Sequence, residues 1–166
     1  MSEKDTIFAG KVRQAAIFDF KELYRFLYMW LIDENYFVVE KTYSEKITPA
    51  GKEVEIEWDA KKKISDYFRF NLRIKWRILG MTDVEVEDNG KKLKLNKGNV
   101  EIRTEGVLEK DYENRWEKNP FLKFLRSIYD RYVIRTRIDE YESKIHRESD
   151  EFLAQAKAFL ALVGIH

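Results

Sequence analysis

The chain has 166 residues, with 31 Lys and Arg against 30 Asp and Glu, for a formal net charge of +1. Near neutrality argues against a dedicated nucleic-acid binder, which carries a clear basic excess. The absence of cysteine excludes disulfides, thiolate metal sites and cysteine nucleophiles together.

No segment approaches the run of about 18 apolar residues that a membrane-spanning helix needs. The first ten residues lack an apolar signal core. One domain over residues 1–166 is therefore expected, located in the cytoplasm, with a sheet-rich part (11–110) and a C-terminal helical part (119–164).

Residues 11 to 18 read as a first strand. Asp19 is a good helix N-cap with Glu22 three positions on. The helix it starts runs to about Glu34, with Phe20, Leu23, Leu27, Trp30 and Leu31 on one face. Tyr36 to Glu45 is the next strand, joined through Pro49-Ala50-Gly51.

The strongest periodicity follows. Val54, Ile56 and Trp58 alternate with Glu53, Glu55, Glu57 and Asp59. Phe68, Phe70, Leu72, Ile74, Trp76 and Ile78 alternate with Arg69, Asn71, Arg73, Lys75 and Arg77. Period two means strands with one dry and one wet face. A hairpin pairing Trp58 with Phe70 sets Glu55 opposite Arg73 and Glu53 opposite Lys75. Gly80 and Met81 make the bend before Val84.

Asn89-Gly90 predicts a type I′ turn that pairs Val86 with Leu93, Val84 with Leu95, Glu87 with Lys92 and Glu85 with Lys94. Lys97-Gly98 predicts another, pairing Leu95 with Val100, Leu93 with Ile102 and Lys94 with Glu101. Apolar meets apolar and charge meets opposite charge in one register.

Asn119-Pro120 starts a helix carrying Phe121, Phe124, Leu125, Ile128 and Tyr132. A second helical pattern runs from Arg137 to Val163. It is either continuous with the first or separated from it near Arg135-Thr136. The resulting fold class is α+β: an antiparallel meander of about six to seven strands, one N-terminal helix and one or two long C-terminal helices.

Each candidate site has a competing plain reading. The acidic and basic strand rows read as partners in a solvated ladder. Lys123, Arg126, Arg131, Arg135 and Arg137, with Asp130 the one acid among them, form the best anion-contact candidate. His146, with Glu142 and Asp150 one helical turn away on either side, reads as solvated rather than metal-bound. His166 is terminal, and no serine sits in a nucleophile motif. No catalytic, cofactor-binding or metal-ligating residue is assigned, and no cofactor is expected.

The order strand, helix, meander, long helix resembles the helix-grip (START or Bet v1-like) fold. That resemblance implies a space for an apolar ligand, here lined by Trp58, Phe70, Leu72, Trp76, Phe152 and Phe159. The stretches Glu55-Ile56-Glu57-Trp58-Asp59, Ile64 to Phe70, Lys75 to Gly80 and Lys110 to Trp116 through Tyr129 to Tyr132 are similar to small uncharacterised archaeal proteins. That similarity implies no activity.

The leading expectation is a non-enzymatic interaction or structural subunit, joining a protein partner or a second copy through its C-terminal helix. At 1.5 Å per residue that helix is about 40 Å long. Ile138, Tyr141, Ile145, Phe152, Phe159 and Val163 would make the contact. Ile138, Ile145, Phe152 and Phe159 recur every seven residues, although Glu142, Ser149 and Ala156 are poor seam positions. A binder of an apolar small molecule or lipid comes second. RNA or anionic-surface binding through residues 121–137 comes third.

Overall fold

The computed structural model describes residues 3–110, 120–128 and 135–162. Five strands and three helices follow in the order β1 (Glu3–Phe18), α1 (Phe20–Asp33), β2 (Phe37–Thr48), β3 (Gly51–Lys63), β4 (Phe68–Asp88), β5 (Lys91–Lys110), α2 (Pro120–Ile128) and α3 (Arg135–Ala161). The strands form one antiparallel sheet in the order β1-β5-β4-β3-β2. The first two strands are therefore opposite edges, and α1 carries the chain from one to the other.

The predicted cap starts α1. The Asp19 carboxylate accepts from the Glu22 backbone N–H at 3.3 Å. Leu23, Leu27 and Leu31, four residues apart, are fully buried on the sheet's dry face. The other faces of α1 bear aromatics that fill the layer. Tyr24 and Tyr28 meet Trp58, Phe26 stacks on Phe159, and Trp30 meets Phe152. The two helices α1 and α3 thus cover the dry face together.

The Asn89-Gly90 hairpin forms in the expected register, with Val86 opposite Leu93 and Glu85 opposite Lys94. Asn89 and Gly90 adopt φ of 51° and 78°, as a type I′ turn requires.

Three details differ from the sequence reading. The sheet has five strands rather than six to seven, because Lys97-Gly98 is no turn. Neither residue takes a positive φ, and β5 runs straight through them, so Val100 pairs with Ile78 and Ile102 with Trp76. Gly98 is small for another reason: a Cβ there would lie 3.1 Å from Ile78 Cγ2 and 3.2 Å from the Leu79 carbonyl oxygen. Gly80 and Met81 likewise form an irregularity between Leu79 and Thr82 within one 21-residue strand.

The second difference is the β3–β4 register. Trp58 pairs with Ile74, four residues from the expected Phe70, and Glu55 pairs with Arg77. A shift of four preserves face and charge parity, so alternation alone cannot distinguish the two registers. The short turn decides between them. Ser65 Oγ accepts from the backbone N–H groups of Tyr67 and Phe68 at 3.2 and 3.1 Å, and Ile64 N–H donates to the Phe68 carbonyl at 3.0 Å.

Third, the first strand begins at Glu3 rather than Lys11 and pairs with β5 along its length. Among the described residues, the C-terminal segment carries α2 and α3. Its stretches 111–119 and 129–134 lie outside the described residues, and with them the expectations for Asn119 and Tyr132.

α3 docks on β1 and β5 through a close approach. A Cβ on Gly106 would stand 2.3 Å from Ser149 Oγ. Ser149 Oγ in turn donates to the Ile145 carbonyl at 2.7 Å. Ser149 and Ala156, poor positions for a seam between chains, are fully buried here because the helix lies tight on the sheet.

Candidate functional site

Trp58, Phe70, Leu72 and Trp76 come together on the dry face, each no more than 2% exposed. The two indoles meet edge to face at 5.5 Å, and Tyr24 contacts both. Glu40, from the exposed edge strand β2, accepts from Trp58 Nε1 at 2.9 Å and from the Tyr24 hydroxyl. Partial burial and then the Glu40 carboxylate push the Tyr24 phenol up to about 12. Glu40 escaped the sequence reading, although its place two residues after Val38 put it on the dry face.

Of the α3 stripe, Ile145 and Phe152 are fully buried, and Ile138, Tyr141 and Phe159 are half-buried against the same core. Tyr141 meets Phe68 at 5.0 Å and Phe159 stacks on Phe26 at 5.2 Å. Val163 lies outside the described residues, as does His166. His146 packs edge-on against Phe8 at 5.2 Å. Among the described residues no three His, Cys, Asp or Glu side chains are grouped to hold a metal ion.

One polar cluster lies inside the core. Glu148 of α3, 5% exposed, accepts from Lys62 Nζ at 2.5 Å and from the Tyr36 hydroxyl at 3.1 Å. Lys62 also donates to the Glu34 carbonyl at 3.1 Å and sits 4.6 Å from the centre of the Tyr36 ring. The cluster ties α3 to β3 and to the corner where α1 turns into β2.

Burial first, and the Glu148 charge second, raise the Tyr36 phenol far above its ordinary value of 10.0. The unfolded chain then loses this proton near pH 10 while the folded chain keeps it. With fewer protons bound in the unfolded state, stability falls as pH rises past 10. Urea midpoints should drop above that pH. Tyr36→Phe should reduce the slope by up to about 1.4 kcal/mol per pH unit, whereas an unchanged slope would exclude Tyr36 as its source.

The wet face holds an open trough of 560 Å³ across β2 to β5, reached also by Lys4 of β1. Its charge pattern is uneven. One row across the sheet alternates in sign: Arg13, Glu101, Arg77, Glu55. The next reads Lys11, Arg103, Lys75, Glu57, with three cations in succession. Arg77 binds Glu53 at 2.6 Å and Glu55 at 3.4 Å. Arg73 and Lys75 have no carboxylate within ion-pair distance among the described residues.

α2 presents a different surface. Phe121, Phe124 and Ile128 are 65%, 61% and 38% exposed, at the spacing of one helical stripe. The helix contains Lys123, which is exposed, and no acidic residue. Arg135 and Arg137 are exposed at the start of α3. Arg126 belongs to α2, but its side chain is outside the described residues, as is all of Arg131.

No described helix is long and apolar enough to cross a membrane. Comparison with known proteins finds no family model and no curated protein that matches the chain.

Proposed function

We propose that the protein is a non-enzymatic, cytoplasmic interaction module whose contact element is α2 with the basic start of α3, and that the surface it meets is an anionic lipid bilayer. The observation that carries this reading is the exposure of Phe121 and Phe124 on a helix with a base and no acid. Apolar rings on one face with Lys and Arg beside them suit the interface of a bilayer. Fully burying a Phe contributes about 1.5–3 kcal/mol, and each base near an anionic surface adds about 1 kcal/mol. The expected self-association helix α3 has less to offer a partner, since its apolar stripe is engaged with the chain's own core.

Co-sedimentation with phosphatidylglycerol vesicles tests the reading. The protein should bind these and not neutral phosphatidylcholine vesicles, and binding should weaken with salt. Phe121→Asp with Phe124→Asp should lower binding at least about 100-fold, from the loss of two buried rings. A second reading, docking into a protein groove, is favoured by the i, i+3, i+7 spacing of the stripe. Failure to bind vesicles, with a defined oligomer that the same double variant dissolves in light scattering, would establish that reading instead.

A further inference from the structure

We infer that the wet-face trough is a second binding site, independent of α2, and that it takes a phosphate ester of a hydroxylated ring. The first support is the cation row. The register places Lys75 directly opposite Arg103, which is itself opposite Lys11. Strands stand about 4.8 Å apart, and like charges directly opposed destabilise a sheet. The rows on either side place acids beside their bases: Glu101 beside Arg77, and Glu105 and Asp59 beside Arg73. A ladder built for stability alone would not gather three cations between them.

The second support is the charge balance of the trough. Six bases line it, namely Lys4, Lys41, Lys61, Arg73, Lys75 and Arg103, against the acids Glu57, Asp59 and Glu105. The excess is three positive charges. Part of the basic charge is already used: Lys41 and Lys61 both turn to Asp59 Oδ2, at 3.4 and 3.9 Å, and Arg103 holds Glu101 at 2.6 Å. Arg73 and Lys75 are left with their donors directed to no carboxylate among the described residues. A phosphate group meets that pair with several acceptor oxygens.

The third support gives the rest of the ligand. Asn71, only 2% exposed, lines the trough two residues from Arg73. Its Oδ1 and the Oδ1 of Asp59 are buried without a hydrogen-bond partner. Buried acceptors of this kind are uncommon and costly. They need donors, which a phosphate dianion does not supply and ring hydroxyls do. Asn71 lies four residues along the strand from Lys75, about 13 Å at the strand rise. A site in which Arg73 and Lys75 stand beside the bare acceptors of Asp59 and Asn71 suits a molecule that carries both anionic and hydroxyl groups. The trough volume of 560 Å³ falls within the usual range for small-molecule sites, about 300–1,000 Å³.

The test uses the full chain labelled with ¹⁵N and titrated with ribose 5-phosphate, with inorganic phosphate and ribose as controls. Saturable shifts should appear at amides of β3, β4 and β5, with the ester binding at least about tenfold more tightly than inorganic phosphate. Lys75→Ala and Arg73→Ala alter exposed side chains, so the fold should survive, and each should weaken the ester about tenfold. Asn71→Ala should weaken the ester and leave inorganic phosphate unchanged. Should that variant fail to fold, the comparison of ester with ribose and phosphate still decides. Equal affinity for ester and inorganic phosphate would remove the hydroxyl-reading part of the site. No shifts up to about 10 mM ester, or binding of a short RNA alone, would overturn the site as a whole. Vesicle binding through α2 is read separately, because Lys75→Ala leaves Phe121 and Phe124 in place.

Discussion

Replacing Glu148 by Ala should lower the unfolding free energy by about 3–5 kcal/mol, the usual loss when one member of a buried ion pair is removed. The carboxylate takes two donors, Lys62 Nζ and the Tyr36 hydroxyl. Without it, the Lys62 ammonium, with its side chain only 12% exposed, keeps one carbonyl partner, Glu34, and two aromatic faces, Tyr36 and Phe70. Urea denaturation of the wild type and the variant measures the loss as a lower midpoint at constant slope. The paired variant Lys62→Met with Glu148→Leu should recover most of it, because two apolar side chains of similar size leave no unpaired charge. A loss below about 1 kcal/mol for Glu148→Ala, the level of a surface pair, would show that water reaches the cluster.

This cluster marks the limit of what was legible in the sequence. Alternation identified the dry faces of β3 and β4 but not where the strands end, and the Asn89-Gly90 turn specified one hairpin residue by residue, because a type I′ turn allows one register. Glu148 carried a weaker signal. It occupies a core-facing place between Ile145 and Phe152, but α3 carries many charges and nothing local sets this one apart. Lys62 was equally indistinct, one of three consecutive lysines at Lys61, Lys62 and Lys63. Only the pairing of distant elements, 86 residues apart, joins the two.

The trough was hidden by a related cause. With Trp58 set against Phe70, Arg69, Arg73 and Lys75 fall opposite Asp59, Glu55 and Glu53. The found register, four residues away, still sets Arg73, Lys75 and Arg77 opposite Asp59, Glu57 and Glu55 on the β3 side but brings Arg103 against the other flank of Lys75. The false turn at Lys97-Gly98 concealed the same contact, since it folded Glu101 back on Lys94 and left β5 no length to lie along β4. In an isolated hairpin, charges balance pair by pair. A central strand has two neighbours, and the uncompensated row appears when both are counted.

Phe152 and Phe124 provide the sharpest comparison between the helix the sequence favoured for contact and the helix proposed for it. Phe152→Ala should destabilise the protein by about 3–5 kcal/mol, the cost of emptying a large core position. Its ring is fully buried and packs 5.6 Å from Trp30, and α3 lies too close to the sheet at Gly106 and Ser149 to settle freely into the space. Phe124→Ala should change stability by no more than about 0.5 kcal/mol, as surface positions do, since the ring is 61% exposed. The same denaturation series measures both, and vesicle binding adds the opposite ranking, with Phe124→Ala impaired and any folded Phe152→Ala retained. A stable Phe152→Ala with a strongly destabilised Phe124→Ala would reverse the roles: α2 would be a core element and α3 the free one. The physical basis of the expectation is that an apolar side chain lowers free energy only where it leaves water. Phe152 leaves it on folding, and Phe124 has yet to do so.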